Sequence, residues 1–154
     1  MKTAGQWLDE YGVSHQNPVN KAIHWLCVPA IYFTVVALLF ALPFPFAAKG
    51  FWLNWATIAV VLVSLYYLRL NILLGVSMLL FSLACVYLSA LIDAQASYPL
   101  WGIALAIFVL AWIGQFIGHH IEGKKPSFFK DIQFLMIGPM WVFGFVLRKL
   151  GVKL

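Results

Sequence analysis

Four apolar runs, residues 25–42, 51–68, 70–92 and 98–118, contain no Lys or Arg and occupy most of this 154-residue chain. A run of this kind has one good solution in lipid. A helix satisfies every backbone N–H and C=O within itself, and about 20 apolar residues at about 1.5 Å each cross a hydrocarbon core of about 30 Å. The composition leaves no room for a water-soluble globule: 64% of residues are hydrophobic, 10% are charged and the mean hydropathy is +0.92, whereas soluble domains carry about 25% charged residues. No internal repeat, low-complexity tract or linker divides the chain, so residues 1–154 are expected to form a single membrane domain. The expected fold is all-α and integral to the membrane. It has four transmembrane helices, a short N-terminal amphipathic helix and a C-terminal re-entrant or interfacial helical segment.

Turn chemistry sets the boundaries. Thr3 with Gln6 matches a capping box that opens the amphipathic helix, and Gly12 is placed to end it in the left-handed conformation. Asn17-Pro18 reads as an N-cap followed by proline at the first helical position. Pro43 and Pro45 mark the first turn between spans, Arg69 lies in a very tight second turn, and residues 93–99 form the third. Such short connections make neighbouring helices antiparallel. A fifth apolar stretch, residues 132–147, is short for a span and is broken by Gly138-Pro139 and Gly144.

Basic residues orient the chain. With four crossings, Lys2, Lys21, Arg69, Lys124, Lys125, Lys130, Arg148, Lys149 and Lys153 share one side and Lys49 alone is opposite; a fifth crossing would turn nine against one into six against four. The positive-inside rule favours the first arrangement, with both termini cytoplasmic. The compact chain without an evident targeting extension reads as a bacterial inner-membrane protein. Its first apolar run starts too late and is too long for a cleaved signal peptide. The charge of +5 is scattered over span ends with no aromatic-basic groove, so no nucleic-acid partner is expected. Cys27 and Cys85 lie within apolar stretches and read as small buried hydrophobes. The tryptophans read as interfacial belt or packing.

The same topology puts His15, His24, His119 and His120, all the histidines of the chain, on one side. Nine residues separate His15 from His24, about 180° apart on an unbroken helix, but the break at residues 12–18 lets the leading segment fold back so that the rings converge. Asn20 lies one turn before His24 and can orient it. Gln115, His119 and Glu122, at spacings of four and three, share one helical face. His120 points about 100° away from His119 and either reaches the site at the helix end or faces headgroups. Neutral imidazoles suit iron, zinc, copper and nickel, and four histidines are few for a binuclear site, so a single ion is the economical inference. Lys124 and Lys125 can attract an anionic head group, or serve simply as anchoring charge.

The stretch His15-Gln-Asn17-Pro18-Val-Asn20-Lys21-Ala-Ile-His24, continuing to Val28-Pro29, resembles the opening motif of the Mpo1-like family. Gln115-Phe-Ile-Gly118-His119 through Glu122-Gly-Lys-Lys-Pro126 is similar to its second motif, and together the two reach nearly from end to end of the chain. The resemblance implies an iron(II)-dependent dioxygenase that takes 2-hydroxy fatty acids and O2 and shortens the acid by one carbon, an α-oxidation. Position by position it carries metal-ligand roles to His15, His24 and His119. Where the family commonly continues Pro-Ala-Leu, this chain has Pro126-Ser127-Phe128, a departure that bears on the chain-binding surface more than on the metal. The expected site thus comprises His15, His24, His119 and His120 toward Fe(2+), with Asn20, Gln115, Lys124 and Lys125 toward substrate. Glu122 is expected as ligand, partner of a ligand, or proton acceptor. Competing readings are a zinc-dependent membrane hydrolase and a non-enzymatic metal-binding membrane protein.

Overall fold

A computed structural model describes residues 2–46, 50–125 and 134–152. These form six helices and, among the described residues, no strand: α1 (Ala4–Gly12), α2 (Pro18–Ala41), α3 (Trp55–Leu70), α4 (Ile72–Gln95), α5 (Leu100–Glu122) and α6 (Phe134–Lys149). Three of them, α2, α4 and α5, are long and apolar enough to cross a membrane, while α3 is apolar but has 16 residues. At about 1.5 Å per residue α3 extends about 24 Å, short of a ~30 Å core. It begins four residues later than the apolar run because the Asn54 side chain caps it, accepting from Thr57 N at 2.9 Å.

Most hydroxyls inside the apolar helices are satisfied within their own helix. Ser77, Ser82 and Ser89 each donate to a carbonyl four residues earlier, on Leu73, Met78 and Cys85, whereas Ser64 Oγ in α3 is buried without a partner. Large apolar side chains such as Leu62, Leu65, Leu80 and Leu110 remain exposed, a pattern that suits association with a membrane. Cys27 and Cys85 are free and buried, as the sequence implies.

The chain divides into two compact units, Met1–Ala30 with Leu110–Leu154, and Ile31–Val109. In the second unit Val36, Ala37, Phe40, Ala56, Val60, Cys85, Val86, Leu100 and Ala104 form the core. Asn71 alone joins α3 to α4, closing the first and capping the second, where its side chain accepts from Leu74 N at 3.1 Å. So tight a hairpin needs Gly75, because a Cβ there would lie 2.7 Å from the Leu68 backbone.

The first unit carries the site. The capping box at Thr3 and Gln6 is present. Gly12, however, does not take the left-handed conformation; among described residues only Gly123 and Gly151 have positive φ. The N–H groups of Val13, Ser14 and His15 instead bond carbonyls three residues back, so the chain leaves α1 through tightened right-handed turns. Asn17 caps α2 as expected, its side chain accepting from Val19 N at 2.9 Å. The Gly138-Pro139 pair does not break α6, which runs through both. The segment is held by burial, with Ile137, Met140, Trp141 and Val142 buried, and α6 packs on α1 through Tyr11 and Trp141, 5.5 Å apart. Gly114 and Gly118, four apart on α5, let it approach α2 closely: a Cβ at Gly114 would stand 2.6 Å from the Cys27 sulfur, and one at Gly118 closer than 3.0 Å to Asn20 Oδ1.

Candidate metal centre

His15 sits in the connection between α1 and α2, His24 on the second turn of α2, and His119 in the last turn of α5. Their ring centroids are 4.4 to 5.1 Å apart, and one nitrogen from each can be chosen so that all lie within 4.8 Å of one another. All are buried, His15 and His24 completely.

Hydrogen bonds decide which nitrogen faces the centre. His15 Nδ1 lies 2.7 Å from the Tyr11 carbonyl and His24 Nδ1 lies 3.0 Å from the Asn20 carbonyl. A carbonyl only accepts, so both Nδ1 atoms carry hydrogen and both Nε2 atoms present lone pairs. His15 Nε2 is buried with no hydrogen-bond partner, a costly state for an acceptor. His24 Nε2 and His119 Nε2 face each other at 3.1 Å, about the separation two nitrogens have when both bind an ion at about 2.1 Å. A cation held by one nitrogen of each ring would relieve His15 Nε2 and replace the hydrogen that His119 Nε2 otherwise donates to His24 Nε2, while His119 Nδ1 stays buried without a hydrogen-bond partner. Burial, the main cause, lowers the His15 pKa to about 4, so the ring is neutral at pH 7, as a ligand must be. The donor set therefore fits a metal ion.

The surroundings hold this arrangement. The Tyr11 ring stacks on His15 at 4.3 Å and 9°, and Trp141 lies 5.3 Å away. Glu122 points its carboxylate at the α1–α2 connection: Oε1 accepts from Gln16 N at 2.8 Å, and Oε2 accepts from Asn17 N at 2.8 Å and from Asn20 Nδ2 at 3.0 Å. Asn20 also donates to the Ser14 carbonyl, while its Oδ1 is buried without a partner. Gln115 is buried and its Nε2 has no partner.

Other expected site residues lie elsewhere. His120 is exposed and stands outside the cluster, as its 100° offset on α5 dictates. Lys124 is exposed and donates to the Val13 carbonyl at 2.7 Å; Lys125 is exposed. Pro126-Ser127-Phe128 lies outside the described residues. Sequence reasoning missed Tyr11 and Trp141 as supports of His15, although Tyr11 precedes it by a stackable spacing of four, and it missed the close approach that Gly114 and Gly118 permit.

Fold and site together define an all-helical protein with apolar helices of membrane-spanning length and a buried three-histidine cluster able to hold a metal ion. A family model described as 2-hydroxy-palmitic acid dioxygenase Mpo1-like matches residues 1–150, and the chain belongs to that family. It is also 29% identical over 143 residues to the 2-hydroxy-palmitic acid dioxygenase MPO1 of Saccharomyces cerevisiae, an alignment covering 92% of this chain and 78% of the yeast protein. No solved structure matches.

Proposed function

We propose that this protein is an iron(II)-dependent dioxygenase that shortens 2-hydroxy fatty acids by one carbon at the cytoplasmic face of the membrane, with O2 as co-substrate. The observation that carries the reading is the buried triad of His15, His24 and His119, with the Nε2 lone pairs of His15 and His24 turned inward. Membership of the Mpo1-like family, and the activity in the yeast relative's name, supply the substrate class. Neutral imidazoles suit iron as they suit zinc, and it is the oxidative activity of the relative that favours iron.

The bound iron would supply open coordination positions for substrate oxygens and O2. The chain's own residues do the rest. His15, His24 and His119 hold the ion, and the carbonyls of Tyr11 and Asn20 fix two of the rings. Burial keeps bulk water out. Gln115 Nε2 and Asn20 Oδ1, a buried donor and a buried acceptor without partners, are groups a carboxylate and a 2-hydroxyl can satisfy. Lys124 and Lys125, at the exposed end of α5, draw the acid's charge toward the centre. Leu26, Ile113, Phe116 and Ile117 are exposed apolar residues on the same two helices, along which an alkyl tail can lie. Nine basic residues on the histidine side against one opposite support four crossings with cytoplasmic termini.

The test is an assay of anaerobically purified protein with 2-hydroxypalmitate. The reading requires iron(II), oxygen consumption and a product one carbon shorter. Zinc in the protein with turnover under argon would replace it by the hydrolase reading.

A further inference from the structure

Among the described residues, three connections within the site join positions more than 100 apart in sequence to a single side chain, the Glu122 carboxylate. Its place at the end of α5 is well defined. Gly123, at φ 70°, closes the helix with the N–H of Gly123 bonded to His120 O and that of Lys124 bonded to His119 O, the pairing of a Schellman motif. Helix α5 therefore ends at Glu122, three residues beyond His119. The carboxylate does not join the metal-capable cluster. Both its oxygens are taken up by the N–H groups of Gln16 and Asn17 and by the Asn20 amide, and these flank the two histidines of the first motif. Gln16 follows His15 directly; Asn20 lies one turn before His24 and lends it the carbonyl that fixes its ring.

We propose that Glu122 is a positioning residue: it latches the His15-bearing connection onto the helices that carry His24 and His119, and thereby assembles the metal site without ligating the ion or moving a proton. The proposal rests on the metal reading above. The connection has other ties, Gln16 Nε2 to Gly12 O at 2.6 Å and the Tyr11 stack, which bind it to α1, and Asn20 Nδ2 to Ser14 O at 3.3 Å, which binds it to α2. Beside the His15–His119 ring contact, the hydrogen bonds that reach it from α5 among the described residues come from Glu122 and Lys124, and the Lys124 bond to Val13 O is made by an exposed ammonium, worth less than a carboxylate that receives two backbone N–H groups at 2.8 Å.

The latch predicts a coupling that a ligand or a generic structural residue does not produce. Cobalt(II) is titrated into the metal-free full-length protein in detergent and followed by its visible absorption. Glu122→Gln keeps the volume but sets an amide NH2 against backbone N–H donors; it should weaken cobalt(II) binding about tenfold to a hundredfold. Glu122→Asp, which keeps the charge but shortens the reach, should fall between, and it serves if E122Q does not fold. In a His15→Ala background either change should have no further effect, because the ligand it positions is gone. Amide exchange should show Gln16 and Asn17 losing protection in the Glu122 variants while the α4 amides keep theirs. Unchanged affinity overturns the proposal, and so does an equal loss in the His15→Ala background, the mark of a direct ligand. If the wild-type protein binds no cobalt(II), the metal reading fails, and exchange alone decides the latch: protection retained at Gln16 and Asn17 in the variants overturns it.

Discussion

At the scale of residues, the site depends on atoms that have nothing else to bind. His15 Nε2 is buried and unpartnered, and its ring is fixed by Tyr11 O and by stacking on the Tyr11 ring. Burial lowers its pKa to about 4 from an ordinary 6.5. The unfolded chain therefore takes up this proton more readily than the folded one, so the stabilising effect of a neutral His15 is full above pH about 6.5 and is lost as pH falls toward 4. Metal-free protein should accordingly show a falling thermal midpoint between pH 6.5 and 4, and His15→Ala should flatten that slope; an unchanged slope would contradict the assignment. Gly118 offers a second check. Its missing Cβ is the space in which Asn20 Oδ1 and the His24 ring lie, so Gly118→Ala should cost about 1–3 kcal/mol by thermal unfolding and weaken metal binding as well. The convergence of His15, His24 and His119 was legible in the sequence because imidazoles at the ends of apolar runs are conspicuous. The contacts of Glu122 were not, because a carboxylate one turn past a histidine looks the same whether it faces an ion or a pair of backbone N–H groups.

At the scale of elements, local chemistry was readable wherever a side chain acts on its own neighbourhood. The capping box of Thr3 and Gln6 and the Asn17-Pro18 start of α2 are of this kind. Gly12 and Pro139 are of the other kind. The turn after Gly12 stays right-handed because successive N–H groups find carbonyls three residues back, and α6 continues through Pro139 while Ile137, Met140 and Trp141 are buried around it. Nothing within a few residues of either position announces this. The α3–α4 hairpin is again local: with Asn71 as its only connecting residue, Asn71→Ala should lower stability by about 1 kcal/mol through lost capping. Gly75→Val should cost more, since the Leu68 backbone cannot yield the room a larger residue needs. Unfolding monitored by circular dichroism in detergent ranks the two, and an equal effect would mean that the close approach does not govern the hairpin.

At the scale of the whole molecule, uncharged apolar runs announced a helical chain with helices of membrane-spanning length, and three of the helices meet that length. The fourth, α3, is shorter because its boundaries are set by Asn54 and Asn71 rather than by hydropathy, which cannot distinguish a capped helix from an apolar loop leading into it. The centre itself draws on both ends of the chain, His15 and His24 from one and His119 from the other, joined by glycines that let α5 approach α2 and by the carboxylate at the end of α5. The account therefore turns on whether three distant imidazoles bind one ion. The most direct measurement is the iron content of anaerobically purified wild-type protein and of its His15→Ala, His24→Ala and His119→Ala variants. The account predicts about one iron per chain in the wild type and its loss in each variant, with helicity retained; iron that persists through all three substitutions would contradict it.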